Sequence, residues 1–182
     1  MTITVYNVMP IPPDEAATHF VDAGALRIGV EYRFLDVAGL EDAYEGDDAA
    51  EIAAATPAGL EDEGVSIHVF GDDGLEYLRF DMFDGGPHYH YIAHEKGENV
   101  IVDYDRVAFG EMLPWALGVL RQRLRPMLER AGAGELAARV DVETVATRLP
   151  EVEKLVEAAH EEIERQRGAR GVRGGVAPNR AD

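Results

Sequence analysis

Cysteine is missing from this sequence of 182 residues, and lysine occurs only as Lys96 and Lys154. Without cysteine the chain has no disulfide, no thiolate nucleophile and no sulfur-ligated metal site. Any metal would therefore be held by histidine and carboxylate side chains. Basic residues are also scarce, because 17 of them stand against 35 acidic residues and leave a net charge of −18. Such a charge opposes binding to nucleic acid.

Long apolar runs are missing as well, since none reaches the roughly 18 residues that a membrane-spanning helix requires. Residues 1–5 have neither the basic segment nor the apolar core of a signal peptide. We therefore expect a soluble cytoplasmic protein that binds neither membranes nor nucleic acid. Its length and its 46% hydrophobic residues fit a single domain, which we place at residues 1–167. Residues 168–182, rich in glycine and arginine, are predicted to form a disordered basic tail.

The middle of the chain alternates apolar and polar residues, which is typical of half-buried β-strands. Residues 27–35 form one alternating run, and residues 65–103 contain four more. Three dipeptides typical of two-residue hairpin loops separate those four runs: Asp73-Gly74, Gly85-Gly86 and Lys96-Gly97. With a further strand at residues 3–8, the pattern predicts an antiparallel meander sheet of about five or six strands.

Helices are predicted on both sides of this sheet segment. Residues 14–21 are predicted to form a helix after a proline-rich breaker, and residues 36–63 an acidic excursion on the surface. Beyond Asp105 the apolar spacing becomes helical, which predicts two amphipathic C-terminal helices, the second over residues 141–165. The predicted fold class is therefore α+β, with these two helices packed on one face of the sheet.

The two faces of the predicted sheet differ in chemistry. If all three loops contain two residues, the strand pairing follows by counting, and one face is almost wholly apolar. Polar side chains collect on the other face, which Glu31 and Arg33 of the earlier strand should join. Two predicted cross-strand rows of this polar face are Ser66, Asp81, His90 and Asp103, followed by His68 and Arg79.

A histidine pair on this face suits a metal. His88 and His90 lie two residues apart on one strand, so both imidazoles point the same way and can chelate one cation. Asp81 or Asp103 would complete a set of two histidines and one carboxylate, which is typical of divalent iron, manganese or catalytic zinc. We therefore predict these four residues as metal ligands. The alternative is that they are ordinary polar partners on a solvated strand face.

Without a metal, the same face suits general acid–base chemistry. The candidate catalytic residues are His90, Asp81, Arg79 and His68. His90 forms an acid–base pair beside Asp81 and Asp103, and Arg79 with Arg33 binds an anionic substrate. Ser66 lacks the G-x-S-x-G turn of a hydrolase nucleophile. The predicted function is thus a domain that binds a small ligand or a metal, and its sharpest form is a metal-dependent enzyme of the two-histidine, one-carboxylate type.

A second class of function uses the same face differently. A non-catalytic accessory or interaction protein would present its polar sheet face to a partner chain or to a second copy of itself, as a homodimer. Aromatic residues at the edge of that face, such as Tyr77 and Phe83, suit either a small organic ligand or such an interface.

Two resemblances involve the histidine pair. Residues 85–90, GGPHYH, resemble the first cupin motif, with Glu95 near its glutamate, but the glycine spacing differs and no second motif follows. No cupin fold is therefore expected. Residues 80–91, FDMFDGGPHYHY, followed by a helix that starts with Met-Leu-Pro-Trp, resemble an uncharacterised bacterial family of hypothetical proteins that carry a GGPHYHY hairpin. This resemblance implies no particular activity.

Overall fold

A computed structural model describes residues 2–174 of the chain, with side chains as far as Arg165. Seven antiparallel strands form one sheet in the order β1-β7-β6-β5-β4-β3-β2. The strands are β1 (Ile3–Tyr6), β2 (His19–Ala23), β3 (Leu26–Asp36), β4 (Glu61–Gly71), β5 (Glu76–Phe83), β6 (His88–Ala93) and β7 (Glu98–Asp103). The α+β class and the antiparallel sheet are confirmed, with slightly more strands than predicted.

The additional strand is β2, and it replaces a predicted helix. Residues 14–18 form only a turn, in which the amides of Ala17 and Thr18 donate to the carbonyl oxygen of Asp14. The chain then pairs with β3 across a tight hairpin, which Gly24 permits because its φ is +74°. Pairing in this position buries Val21 and is favoured over a local helix. The helix predicted for residues 14–21 is therefore wrong.

The helices are α1 (Val37–Ala43), α2 (Gly46–Ala55), α3 (Arg106–Phe109), α4 (Met112–Gln122), α5 (Leu124–Arg130), α6 (Gly134–Arg139) and α7 (Val142–Gly174). The first of the two predicted C-terminal helices is divided between α4 and α5. Pro126 accounts for this break, because it offers no amide to the helix and its ring conflicts with the carbonyl group four residues earlier. Helix α7, in contrast, continues through Pro150.

The hydrophobic core lies between the helices and one face of the sheet. Helix α7 packs against β2, β3 and β4, while α5 packs against β5 and β6. Ile67 and Phe80 of the sheet and Leu120 and Leu149 of the helices are fully buried there. This arrangement agrees with the predicted apolar face and its C-terminal helices. It leaves the opposite face of the sheet to the polar residues.

Two further findings concern the C-terminal end of the chain and the hydrophobicity of its helices. Helix α7 continues to Gly174, and residues 175–182 lie outside the described residues, so the disordered tail stays a prediction. Among the helices that the structure describes, none is both long and apolar enough to cross a membrane.

Candidate metal centre

The polar face of the sheet contains the residues that alternation placed there, but in a shifted pairing. Asp81 lies opposite His88, and Arg79 lies opposite His90, whereas two-residue loops would have placed Asp81 opposite His90. The β6–β7 pairing is shifted as well, so that Asp103 lies opposite His88. The predicted pairs of Ser66 with Asp81 and of His68 with Arg79 are confirmed, whereas the β5–β6 and β6–β7 parts of the predicted rows are wrong by two positions. An even shift preserves the face of every side chain, so both histidines still point away from the core.

The connection between β5 and β6 is longer than the predicted two-residue loop, and the structure shows the cause. The carboxylate of Asp62 on β4 accepts hydrogen bonds from the amides of Gly85 and Gly86, at 2.9 Å and 2.8 Å. Because these amides are held by another strand, the two glycines do not form the tight reversal that their sequence favours. The last β5–β6 pair is instead Asp81 with His88. Asp62 thus positions the start of the histidine strand.

The polar face is covered by other parts of the same chain. Pro10 and Ile11 of the N-terminal segment, together with Leu40, Tyr44 and Ile52 of the α1–α2 region, line a cavity of about 280 Å³ above the sheet. The region predicted only as a surface excursion therefore forms a roof. A partner that bound the polar face directly would have to displace this cover.

Three metal-ligating atoms converge at the floor of this cavity. The Nε2 atoms of His88 and His90 lie 3.2 Å and 2.9 Å from the same Asp81 oxygen, Oδ2. Asp81 and His90 are buried, and the His88 side chain is 19% exposed. These three residues form a group that could hold a metal ion.

Hydrogen bonds fix the orientation of each ligand. The Nδ1 atom of His88 lies 2.6 Å from the Gly86 carbonyl oxygen, and that of His90 lies 2.8 Å from Oδ1 of Asn99. Because a carbonyl oxygen only accepts hydrogen bonds, each Nδ1 carries a proton. In the neutral ring Nε2 then presents a lone pair to Asp81, and only a ring protonated at both nitrogens donates a hydrogen bond to it. The other carboxylate oxygen of Asp81 accepts from the hydroxyl of Ser66.

The pKa values of the three groups are shifted by their surroundings. Burial alone would raise the pKa of Asp81, but hydrogen bonds and positive charge from both histidines hold it well below its usual range. Burial lowers the pKa of His90, and the hydrogen bond to Asp81 does not offset this. For His88, burial is outweighed by the hydrogen bond to Asp81 and its charge, so its pKa is raised. The two neighbouring histidines therefore differ in their tendency to bind a proton.

A second buried cluster lies beside this group. Arg79 donates to Glu76 through Nε and Nη2, at 2.8 Å and 2.5 Å, while Nδ1 of His68 lies 2.6 Å from the same carboxylate. On the other side of its ring, Nε2 of His68 lies 3.3 Å from Glu31. His68 is fully buried between these carboxylates, whereas Arg79 also lines the cavity. Of the four predicted catalytic residues, His68 is thus the one that does not line the cavity, and all four roles stay predictions.

Asp103, also predicted as a ligand, has an exposed side chain at the cavity wall. It lies opposite His88 in the ladder but is not part of the three-residue group. The structure thus brings together three of the four predicted ligands. Ser66 is fully buried and donates to Asp81, so its hydroxyl positions a ligand.

Sequence reasoning missed Glu76 and Asn99. Asn99 lies two residues before Ile101 on β7, so the same alternation would have placed it on the polar face. Glu76 gave no such signal, because a bulge pairs Phe70 with Glu76 and shifts the register next to Val69. A bulge redirects side chains relative to the regular alternation. It brings the Glu76 carboxylate to His68 on the polar face.

Comparison with known proteins identifies a family. Residues 20–156 match the model of a family described as a domain of unknown function, DUF7700. No curated protein and no solved structure matches the chain. The match agrees with the expected membership in an uncharacterised family, while the role of the GGPHYHY hairpin as its signature stays a prediction.

Proposed function

The chain belongs to the DUF7700 family, a domain of unknown function, and we propose that it binds a divalent metal through Asp81, His88 and His90. The observation that carries this proposal is the convergence of two Nε2 atoms on one Asp81 oxygen while both Nδ1 atoms are held by carbonyl oxygens. Metal-bound histidines commonly have such a partner on their second nitrogen, since it fixes the tautomer and the direction of the ring.

The spacing of the ligand atoms supports a metal. Two ligands that each lie about 2.1 Å from one ion are about 3.0 Å apart in octahedral geometry and about 3.4 Å apart in tetrahedral geometry. Of the two distances from Asp81 to the histidines, 3.2 Å lies in this range and 2.9 Å lies just below it. Nitrogen and carboxylate ligands suit iron, manganese or zinc.

A proton alone compensates the contacts among these three ligand atoms less well than a divalent cation does. One proton on His88 satisfies its contact with Asp81, but the lone pair of His90 still faces the carboxylate at 2.9 Å. Burial opposes a second positive charge on His90, whose pKa is lowered. One divalent cation between the three atoms satisfies both contacts at once.

The proposed site has room for a reaction. Three protein ligands leave coordination positions open, and the cavity of about 280 Å³ above them is large enough for a small molecule. When bound, a divalent metal polarises a coordinated oxygen or lowers the pKa of a bound water molecule. The protein's own part is to orient the ligands through Ser66, Gly86 and Asn99, to exclude bulk water beneath α1 and α2, and to supply Arg79. We propose a metal-dependent enzyme acting on a small molecule.

Metal content tests the proposal directly. The full chain is freed of metal with a chelator, loaded with Zn²⁺, Mn²⁺ or Fe²⁺, and analysed by native mass spectrometry and calorimetry. We expect one ion per chain. The variant His88→Ala should bind that ion at least about a hundredfold more weakly, because even the loss of a ligand's hydrogen-bond partner costs roughly 10–100-fold in affinity.

His19→Ala is the matched control, since His19 lies on an exposed strand position far from the cavity and its loss should leave metal binding unchanged. His88 is preferred to His90 for this test because it is partly exposed and its replacement disturbs the fold less. The proposal is wrong if the parent protein binds no ion at one-to-one stoichiometry, or if His88→Ala binds it equally well.

A further inference from the structure

We infer that the ligand of this cavity is a small monocarboxylate with an apolar tail, whose carboxylate lies between the metal and the Arg33 and Arg79 guanidinium groups. The inference rests on the proposed function, because it concerns the same site once the metal is bound. Three independent features of the cavity support it: its charge balance, its free hydrogen-bond donors and its apolar roof.

The charge balance at the buried arginine end of the cavity favours an anion. Around the cavity floor, the carboxylates of Glu31, Glu76 and Asp81 stand against the guanidinium groups of Arg33 and Arg79. With neutral histidines these five groups leave one negative charge, and a divalent ion reverses it to one positive charge. This count leaves out two carboxylates that line the cavity: Asp62, which is held by two glycine amides, and Asp103, which is exposed. A buried excess of positive charge is costly, so a bound carboxylate would restore neutrality.

Free donors of the two arginines mark where the anion binds. Glu76 occupies Nε and Nη2 of Arg79, and among the described residues Nη1 has no hydrogen-bond partner. Arg33 is 13% exposed, and its one hydrogen bond to the described residues is a long one of 3.5 Å to the Ile11 carbonyl oxygen. Both side chains line the cavity. Two neighbouring guanidinium groups with free N–H donors are a typical site for a carboxylate.

The surroundings of Arg33 show that its charge is not fully compensated. Burial, and then the positive charge of Arg79, lower the pKa of Arg33, and the nearby carboxylates do not offset them. A bound anion would remove this imbalance. Arg79 differs, because its bidentate contact with Glu76 already compensates much of its charge. Arg33 is therefore the residue whose positive charge a bound anion would compensate most.

The apolar part of the ligand would lie beneath the roof. Ile11, Leu40 and Ile52 line the cavity opposite the charged floor. The carboxylates of Asp62 and Asp103 also line it, but Asp62 is engaged by two glycine amides and Asp103 is exposed to solvent. These acidic groups disfavour an anion where they line the cavity, so the ligand carboxylate would bind at the end that contains Arg33 and Arg79. A cavity of about 280 Å³ is near the lower limit for small-molecule sites, so the tail must be short.

Hexanoate and hexanamide test the inference, because they have the same tail and differ in charge. Both are titrated by calorimetry into the full chain loaded with the metal that binds at one-to-one stoichiometry. We expect hexanoate to bind at least about tenfold more tightly than hexanamide. Arg33→Gln should reduce the hexanoate affinity about tenfold or more without changing the metal content. Arg27→Gln, on the same strand but stacked on Phe20, is the control and should change neither.

The outcomes separate the two proposals. Equal binding of hexanoate and hexanamide to the metal-loaded chain, or undetectable binding of both, overturns the carboxylate inference and leaves the metal site standing. An unchanged hexanoate affinity in Arg33→Gln overturns it as well. A chain that takes up no metal fails at the first measurement, which overturns the proposed function and this inference together. Since the acid–amide comparison uses the unmodified chain, it decides the question even if Arg33→Gln does not fold.

Discussion

His88 and His90 have the same side chain on the same strand, yet their surroundings give them different roles. His90 is buried and held by a side-chain amide, whereas His88 lies at the edge of the cavity and is held by the backbone of its own turn. Backbone support cannot be removed by a substitution, but the Asn99 amide can. Asn99 is therefore the residue through which the orientation of a ligand can be tested without touching the ligand.

Asn99→Ala should weaken metal binding by about 10–100-fold, because the Nδ1 proton of His90 loses its acceptor and the ring loses its fixed tautomer. Asn99→Asp retains an acceptor oxygen and should restore most of the affinity. Calorimetric titration of the metal-free variants measures both effects. Equal metal affinity in Asn99→Ala and the unmodified chain would contradict the positioning role.

At the residue scale, the sequence predicted the three converging side chains but not everything that holds them. His88, His90 and Asp81 follow from strict alternation, which depends only on strand geometry. The contribution of Glu76 depends on a bulge, and a bulge is the outcome of packing between two strands. Local sequence carries no signal for it.

At the scale of elements, the faces of the strands and the β4–β5 pairing were predictable, whereas the β5–β6 and β6–β7 pairings were not. Apolar and polar residues alternate along β4 to β7, so one face had to be buried. Loop length depends on contacts that are distant in sequence, as with Asp62, which lies 23 residues before the Gly85 amide it binds. The pairing therefore moved by two residues while the faces stayed unchanged.

Helices α1 and α2 are weakly attached to the rest of the fold. No residue of these two described helices is buried, although they form the roof of the cavity. Two hydrogen bonds tie them to the N-terminal segment: the Tyr44 hydroxyl donates to the Met9 carbonyl oxygen at 3.0 Å, and the Asn7 amide donates to Glu51 at 2.9 Å. Segments with few buried contacts open locally at a small cost in free energy. We expect the roof to open for ligand entry.

Hydrogen exchange followed by mass spectrometry measures this opening. Amides of residues 37–55 should exchange faster than those of β5, and Tyr44→Phe should accelerate exchange in the roof alone, because it removes one of the two ties. Tyr77→Phe is the control, since the Tyr77 hydroxyl donates to Asp73 at a turn outside the cavity. Protection of residues 37–55 equal to that of the central strands would show that the roof is a fixed part of the fold.

At the scale of the whole molecule, the sheet separates two kinds of interior. One face is covered by C-terminal helices and is apolar, while the other is covered by the roof and contains ionised side chains. Glu76 couples that polar interior to the stability of the fold. Burial alone would raise its pKa, but hydrogen bonds and charge from Arg79, and then from His68, lower it to about 2.

A carboxylate with a lowered pKa stabilises the folded state above its ordinary pKa, here 4.5, and this contribution is lost as the pH falls toward about 2. The shift corresponds to about 3 kcal/mol, a large part of the roughly 5–15 kcal/mol that stabilises a typical domain. Glu76→Gln should therefore lower the free energy of unfolding by about 3 kcal/mol at pH 7, and the difference from the unmodified chain should shrink between pH 4.5 and pH 2. Urea unfolding at several pH values measures it, with the exposed Glu95→Gln as the control. A difference that stayed constant over this range would show that Glu76 acts through its shape and packing, because the titration of its carboxyl group would then contribute nothing to the stability of the fold.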